Sequence, residues 1–85
     1  MFCLRPDIRL REATGSFWAF NVDDGRHYEL NETAFFILAA MARGAAADEI
    51  VTALAEEYGV DTEEAAKDLA ELLEYAREQQ MIEEG

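Results

Sequence analysis

The sequence predicts an α+β fold of winged helix-turn-helix type, an N-terminal three-stranded antiparallel sheet followed by three helices. Three observations carry that expectation. Up to Leu30 the apolar residues follow a period of two, between short turns marked by Gly15 and Gly25. From Asn31 onward they recur every three or four residues, and Asn31 and Asp61 stand where helix N-caps belong. The chain has 85 residues, 51% of them hydrophobic, which suits one domain over residues 1–85 with a modest core.

Met1 to Asp7 reads as a lead-in closed by Pro6, which has no N–H to give a central ladder. Ile8-Arg9-Leu10-Arg11-Glu12 alternates apolar and charged residues, so residues 8–12 should form a half-buried strand with Ile8 and Leu10 inward. Residues 17–22 are aromatic and β-rich on both faces and should lie centrally, between two neighbours. Asp24-Gly25 is a strong hairpin signal, because a type I′ turn needs positive φ and Gly accepts it. Residues 27–30 then make a short third strand, with Tyr28 and Leu30 on one face. Arg26 to Leu30 should be the working surface, provided its outer edge is unpaired.

Asn31 caps a first helix over residues 32–43, apolar nearly all round and closed by Gly44. A second helix over residues 48–58 opens at Asp48 and stops at Gly59. The third, over residues 62–79, has Asp61 as N-cap and Glu64 three residues on, a variant of the capping box. Met81-Ile82 then leads out and packs back as a small wing strand.

The charge is −12 and uneven: residues 1–41 carry six acids and four bases, residues 42–85 thirteen acids and three bases. Such a surface repels phosphate backbones and anionic membranes, and the third helix with its cap, Asp61 to Gln79, carrying seven acids against Lys67 and Arg77, is a poor reader of DNA. No run approaches the roughly 18 apolar residues of a membrane span, and no signal segment opens the chain, so a cytoplasmic protein is expected. Catalytic material is scarce. Ser16, His27 and Cys3 are the sole residues of their types and fall in separate segments, so neither a nucleophile with its base nor a zinc site is expected. Ser16 also sits amid β-rich sequence, which excludes a carrier protein whose prosthetic arm attaches to a helix-opening serine.

Taken together, several pieces resemble the PqqD-like family, the recognition elements for precursors of ribosomally made, post-translationally modified peptides (RiPPs). They are the Leu4-Arg5-Pro6-Asp7 opening, the Gly25…Leu30-Asn31-Glu32-Thr33-Ala34 junction, Ile50-Val51…Leu54-Ala55-Glu56-Glu57-Tyr58-Gly59-Val60-Asp61, and Asp68-Leu69 with Leu72-Leu73. No single piece is specific; their order over the chain is. Gln80 departs from the pattern, standing where such proteins usually have Gly.

The resemblance implies a binding module, not an enzyme, with no cofactor and no metal. Its partners would be the leader segment of a precursor peptide and a processing enzyme such as a leader peptidase, with no nucleic acid and no membrane. The leader would add as a strand to the third strand and lie against the third helix. The implied peptide-binding residues are Arg26, His27, Tyr28, Glu29 and Leu30 on the strand and Ala65, Asp68, Leu69, Leu72 and Tyr75 on the helix. With Leu69 facing the core, Asp68, Leu72 and Tyr75 share one shoulder. Tyr75 either lines a groove or covers the sheet edge, and Tyr28 is either core or groove. An acidic third helix favours a leader carrying Lys or Arg. The junction looks closest to the lasso-peptide proteins. A chaperone for a radical enzyme in pyrroloquinoline quinone synthesis, a winged-helix regulator acting through protein contacts and an adaptor-like partner are the alternatives. The open edge fits a monomer or an edge-paired dimer.

Overall fold

The structure, a computed structural model, describes residues 2–84. Its elements in order are strands β1 (Phe2–Leu4), β2 (Ile8–Ala13), β3 (Ser16–Asn21) and β4 (His27–Leu30), helices α1 (Glu32–Ala42), α2 (Ala47–Tyr58) and α3 (Thr62–Glu78), and strand β5 (Ile82–Glu84). An antiparallel meander followed by three helices is the α+β arrangement expected. β3 lies between β2 and β4, as its two apolar faces require.

The small strand expected after the third helix is present as β5, but the N-terminal lead-in departs from expectation. β1 pairs antiparallel with β5, Leu4 opposite Ile82, in a second, two-stranded sheet. The lead-in is therefore part strand, although its first residue, Met1, lies outside the described residues. Three residues are too few to express an alternation, so composition alone could not reveal β1. The partner sequence is anchored by Met81 and Ile82, 0% and 4% exposed.

The two hairpins of the meander differ. Ala13 pairs with Ser16, and the intervening Thr14 and Gly15 both take positive φ, 50° and 80°. That is the type I′ geometry, which matches strand twist. Asp24-Gly25, expected to take that form, does not: only Gly25 has positive φ, 76°. A backbone bond from Gly25 N–H to Asn21 C=O at 2.9 Å closes this wider loop, and side chains reinforce it. Asn21 Oδ1 accepts from the N–H groups of Asp23 and Asp24 at 2.7 and 3.1 Å, and Asp24 Oδ1 accepts from that of Arg26 at 2.9 Å. Asn and Asp side chains offer the backbone such local alternatives to the ladder. As a result Val22 falls in the loop, 50% exposed, and Arg26 precedes the strand rather than belonging to it.

Asn31 Oδ1 accepts from Ala34 N–H at 2.7 Å and Asp61 Oδ1 from Glu64 N–H at 2.8 Å, capping α1 and α3. α2 begins at Ala47, one residue before Asp48. Its N-cap, Ala46, has no side-chain acceptor, and the Glu49 carboxylate instead reaches back to the Ala46 N–H at 2.9 Å. α1 and α3 end in the same pair of closing bonds, Gly44 N–H to Met41 C=O with Ala45 to Ala40, and Gln80 to Arg77 with Met81 to Ala76. The left-handed position is Gly44 in the first (φ 86°) but Gln80 in the second (φ 60°). The core lies where α1 crosses the meander. Ile37, Leu38 and Leu54 are at most 1% exposed there, with Ile8, Ala19 and Ile50 around them.

Candidate functional site

Among the described residues β4 pairs only with β3 and so leaves one edge open. The ladder fixes which groups face it. Asn21 N–H donates to Arg26 C=O at 2.9 Å, and hydrogen-bonded pairs alternate from there. Tyr28 and Leu30, opposite Ala19 and Phe17, therefore turn their N–H and C=O groups toward β3. His27 and Glu29 turn theirs outward. Side chains alternate as well: Tyr28 and Leu30 point inward and are buried, while His27 and Glu29 are exposed.

Beside this edge runs a groove of ≈ 420 Å³. β4 contributes Glu29 and Leu30, the start of α1 contributes Thr33, Ala34 and Ile37, and α3 contributes Asp68, Glu71, Leu72 and Tyr75. The Asn31 cap places α1 at the end of β4, so strand and helix wall the groove together. α3 is tied to β4 at its far end, where the Tyr28 hydroxyl donates to the Gln79 carbonyl at 3.3 Å. The floor is apolar (Leu30, Ala34, Ile37 and Leu72) and the rim acidic. Asp68 and Glu71 form that rim, while Glu29 lines the edge with its side chain turned to the other face of β4; among the described residues none of the three takes part in an ion pair. An extended segment laid here meets unpaired backbone groups on one side and apolar relief on the other, the conditions for strand addition.

Of the residues expected to bind, the structure brings Glu29, Leu30, Asp68, Leu72 and Tyr75 to this groove. Tyr28 backs it and braces α3. His27 stacks on Phe20 on the outer face, ring centroids 5.8 Å apart. Arg26 sits in the turn beside Asp24, Nε to Oδ2 3.6 Å. Ala65 and Leu69, 0% and 6% exposed, pack in the core and do not line the cavity. They belong to the buried stripe of α3, the helix that packs on α2, and are rotated around the helix axis from the shoulder that meets the groove. The α1 wall was missed. Its only signal was Thr33, Ala34 and Ile37 recurring on one helical face directly after the strand, and in a helix apolar all round that face does not stand out.

The family model of coenzyme PQQ synthesis protein D (PqqD) matches residues 17–82. The chain belongs to the PqqD family. The matched stretch runs from β3 into β5 and holds every residue of the groove. No curated protein sequence matches the chain. Two solved structures share its architecture. One, of TbiB1 in complex with the TbiA(beta) leader peptide, superposes with a TM-score of 0.86 at 19% identity, over 98% of this chain and 96% of the other. The other, lasso peptide synthetase B1 complexed with the leader peptide, gives 0.84 at 26% identity, over 98% of each chain.

Proposed function

We propose that this protein captures the leader segment of a ribosomally made precursor peptide, of the lasso-peptide kind, and presents it to a processing enzyme. The observation that carries this reading is the open β4 edge lying directly against an apolar groove. The edge supplies affinity without regard to sequence, since every non-proline residue offers the same donor and acceptor. The groove supplies selectivity. Family membership and the likeness to a lasso peptide synthetase B1 complexed with its leader support the assignment. The protein acts by binding. Ser16, His27 and Cys3 stand in β3, β4 and β1, and Cys3 belongs to the other sheet.

The peptide-binding residues on this reading are Glu29, Leu30, Asp68, Leu72 and Tyr75, with the backbone of His27 and Glu29 as the docking ladder. Without peptide, the same edge pairs with a second copy at high concentration, and peptide competes with that dimer. The test is calorimetric titration with two synthetic peptides, the leader of a lasso precursor encoded beside this gene and a precursor of pyrroloquinoline quinone. Saturable binding of the first at micromolar concentration or tighter is expected. Binding of the second alone moves the protein to the quinone pathway that the family's description names.

A further inference from the structure

β4 has a hollow on its other face too. It measures ≈ 440 Å³, and Ser16, Trp18, His27 and Glu29 line it. The register places Trp18 directly opposite Glu29 and Phe20 directly opposite His27, all on the outward face. The two aromatic rings differ in their company. Phe20 has two partners, the Arg11 guanidinium 5.4 Å from its centroid and the His27 ring at 5.8 Å. Arg11 is further held by donating to the Leu10 carbonyl at 2.8 Å. Trp18 is half-buried and, among the described residues, has no cation over its ring, and its cross-strand neighbour Glu29 has no ion-pair partner.

A strand added to β4 sends alternate side chains to opposite faces. Those facing the helices enter the groove. Their neighbours emerge on the outer face, and the one across from Glu29 lands at this hollow. We infer that the hollow is a second subsite of strand capture and takes a Lys or Arg side chain of the added peptide. The inference rests on the reading of β4 as the capturing edge. A basic side chain satisfies both unpartnered groups at once. Its head reaches across β4 to lie between the Glu29 carboxylate and the Trp18 indole on the strand beyond, while its stem runs along the apolar surface. Opposite charges directly across a strand pair attract, and a cation over an indole gains more. An apolar side chain gains the indole but crowds an unpaired carboxylate, and an acidic one is repelled.

The test is selection from a displayed library of random peptides of about ten residues, the length of a long strand. The wild-type protein is expected to select apolar residues at alternate positions and Lys or Arg at one intervening position. Glu29→Lys should weaken the selected basic peptide by about tenfold and favour its Asp or Glu counterpart at the same position. Trp18→Leu should weaken the basic peptide and leave an apolar variant nearly unchanged; if Trp18→Leu fails to fold, the charge exchange at exposed Glu29 decides alone. Binders random at the intervening positions, or equal preference after Glu29→Lys, overturn the subsite while Tyr75→Ala still weakens binding and strand capture stands. Absence of any binder, or binders indifferent to both Tyr75→Ala and His27→Pro, overturns strand capture and the subsite with it.

Discussion

Tyr75 offers the sharpest test of the groove, because its ring stands at the rim with little structural duty. It is 41% exposed. An aromatic side chain has roughly 200 Å² to bury, so a peptide along the groove covers about 80 Å² of this ring. At about 25 cal/mol per Å² that is about 2 kcal/mol. Tyr75→Ala should therefore raise Kd about thirtyfold, with the melting temperature nearly unchanged. The acidic rim predicts less. An exposed ion pair contributes about 0–1 kcal/mol, so Asp68→Asn or Glu71→Gln should weaken binding by at most about fivefold. Raising salt from about 50 to about 500 mM, which shortens the screening length to a few ångströms, should have a similarly modest effect. Isothermal titration with one leader peptide across these variants, each checked by circular dichroism, gives the comparison. If the charge variants and high salt eliminate binding while Tyr75→Ala leaves it within twofold, the groove is an electrostatic landing strip and the apolar argument is wrong.

The ladder parity makes a second prediction: His27→Pro removes an outward N–H, keeps the fold and weakens peptide binding by about 1–3 kcal/mol, whereas Tyr28→Pro breaks a bond to β3 and unfolds the sheet. Calorimetry beside thermal melts separates the two. Gln80→Gly should stabilise the protein by about 0.5–1 kcal/mol, since a left-handed non-glycine residue costs about 1–2 kcal/mol and the freer unfolded glycine returns part of it; urea denaturation reads this. The Asp7 carboxyl is held below its ordinary range by its hydrogen bond from Arg5, with help from Asn21 and against partial burial. A lowered pKa stabilises above the unfolded value of 3.8 and ceases to as pH falls through the folded one. Asp7→Asn should thus lower the melting temperature at pH about 7, and the gap from wild type should close below pH about 4. The charge of −12 predicts no duplex binding at about 50 mM salt, and a sub-micromolar gel shift would contradict it.

The junction at the heart of the site was legible because several local signals agree there. Leu30 closes a strand period, Asn31 caps, and Glu32 and Thr33 begin a helix with no intervening loop. Where signals are local and consistent, sequence is a good guide. It failed where partners are remote. β1 becomes a strand only because β5, some eighty residues away, lies beside it; the C-terminal wing strand was expected, but three residues at the other end are too few to declare its partner. It also failed at Asp24-Gly25, where a type I′ turn lost to a wider loop reinforced by side-chain acceptors on Asn21 and Asp24, while Thr14-Gly15 took that geometry instead. On α3 the period separated the groove shoulder of Asp68, Leu72 and Tyr75 from the core stripe, and Ala65 and Leu69 fell on the core side. The other wall, on α1, stayed hidden because a helix apolar on every side does not show which face a ligand will meet.

The pairing of β1 with β5 has an engineering consequence. Phe2 stands opposite Glu84, so the backbone enters and leaves the molecule through neighbouring strands about 5 Å apart. A chain with such a single doorway can be spliced into a surface loop of another protein without stretching either host or guest. It can equally be sealed head to tail by a few glycines and reopened at the tight Thr14-Gly15 bend, giving a permuted polypeptide whose β4, α1 and α3 remain in one unbroken run. Retained peptide capture by that permutant would show that the recognition surface depends on the arrangement of its walls and not on the order in which the chain is strung.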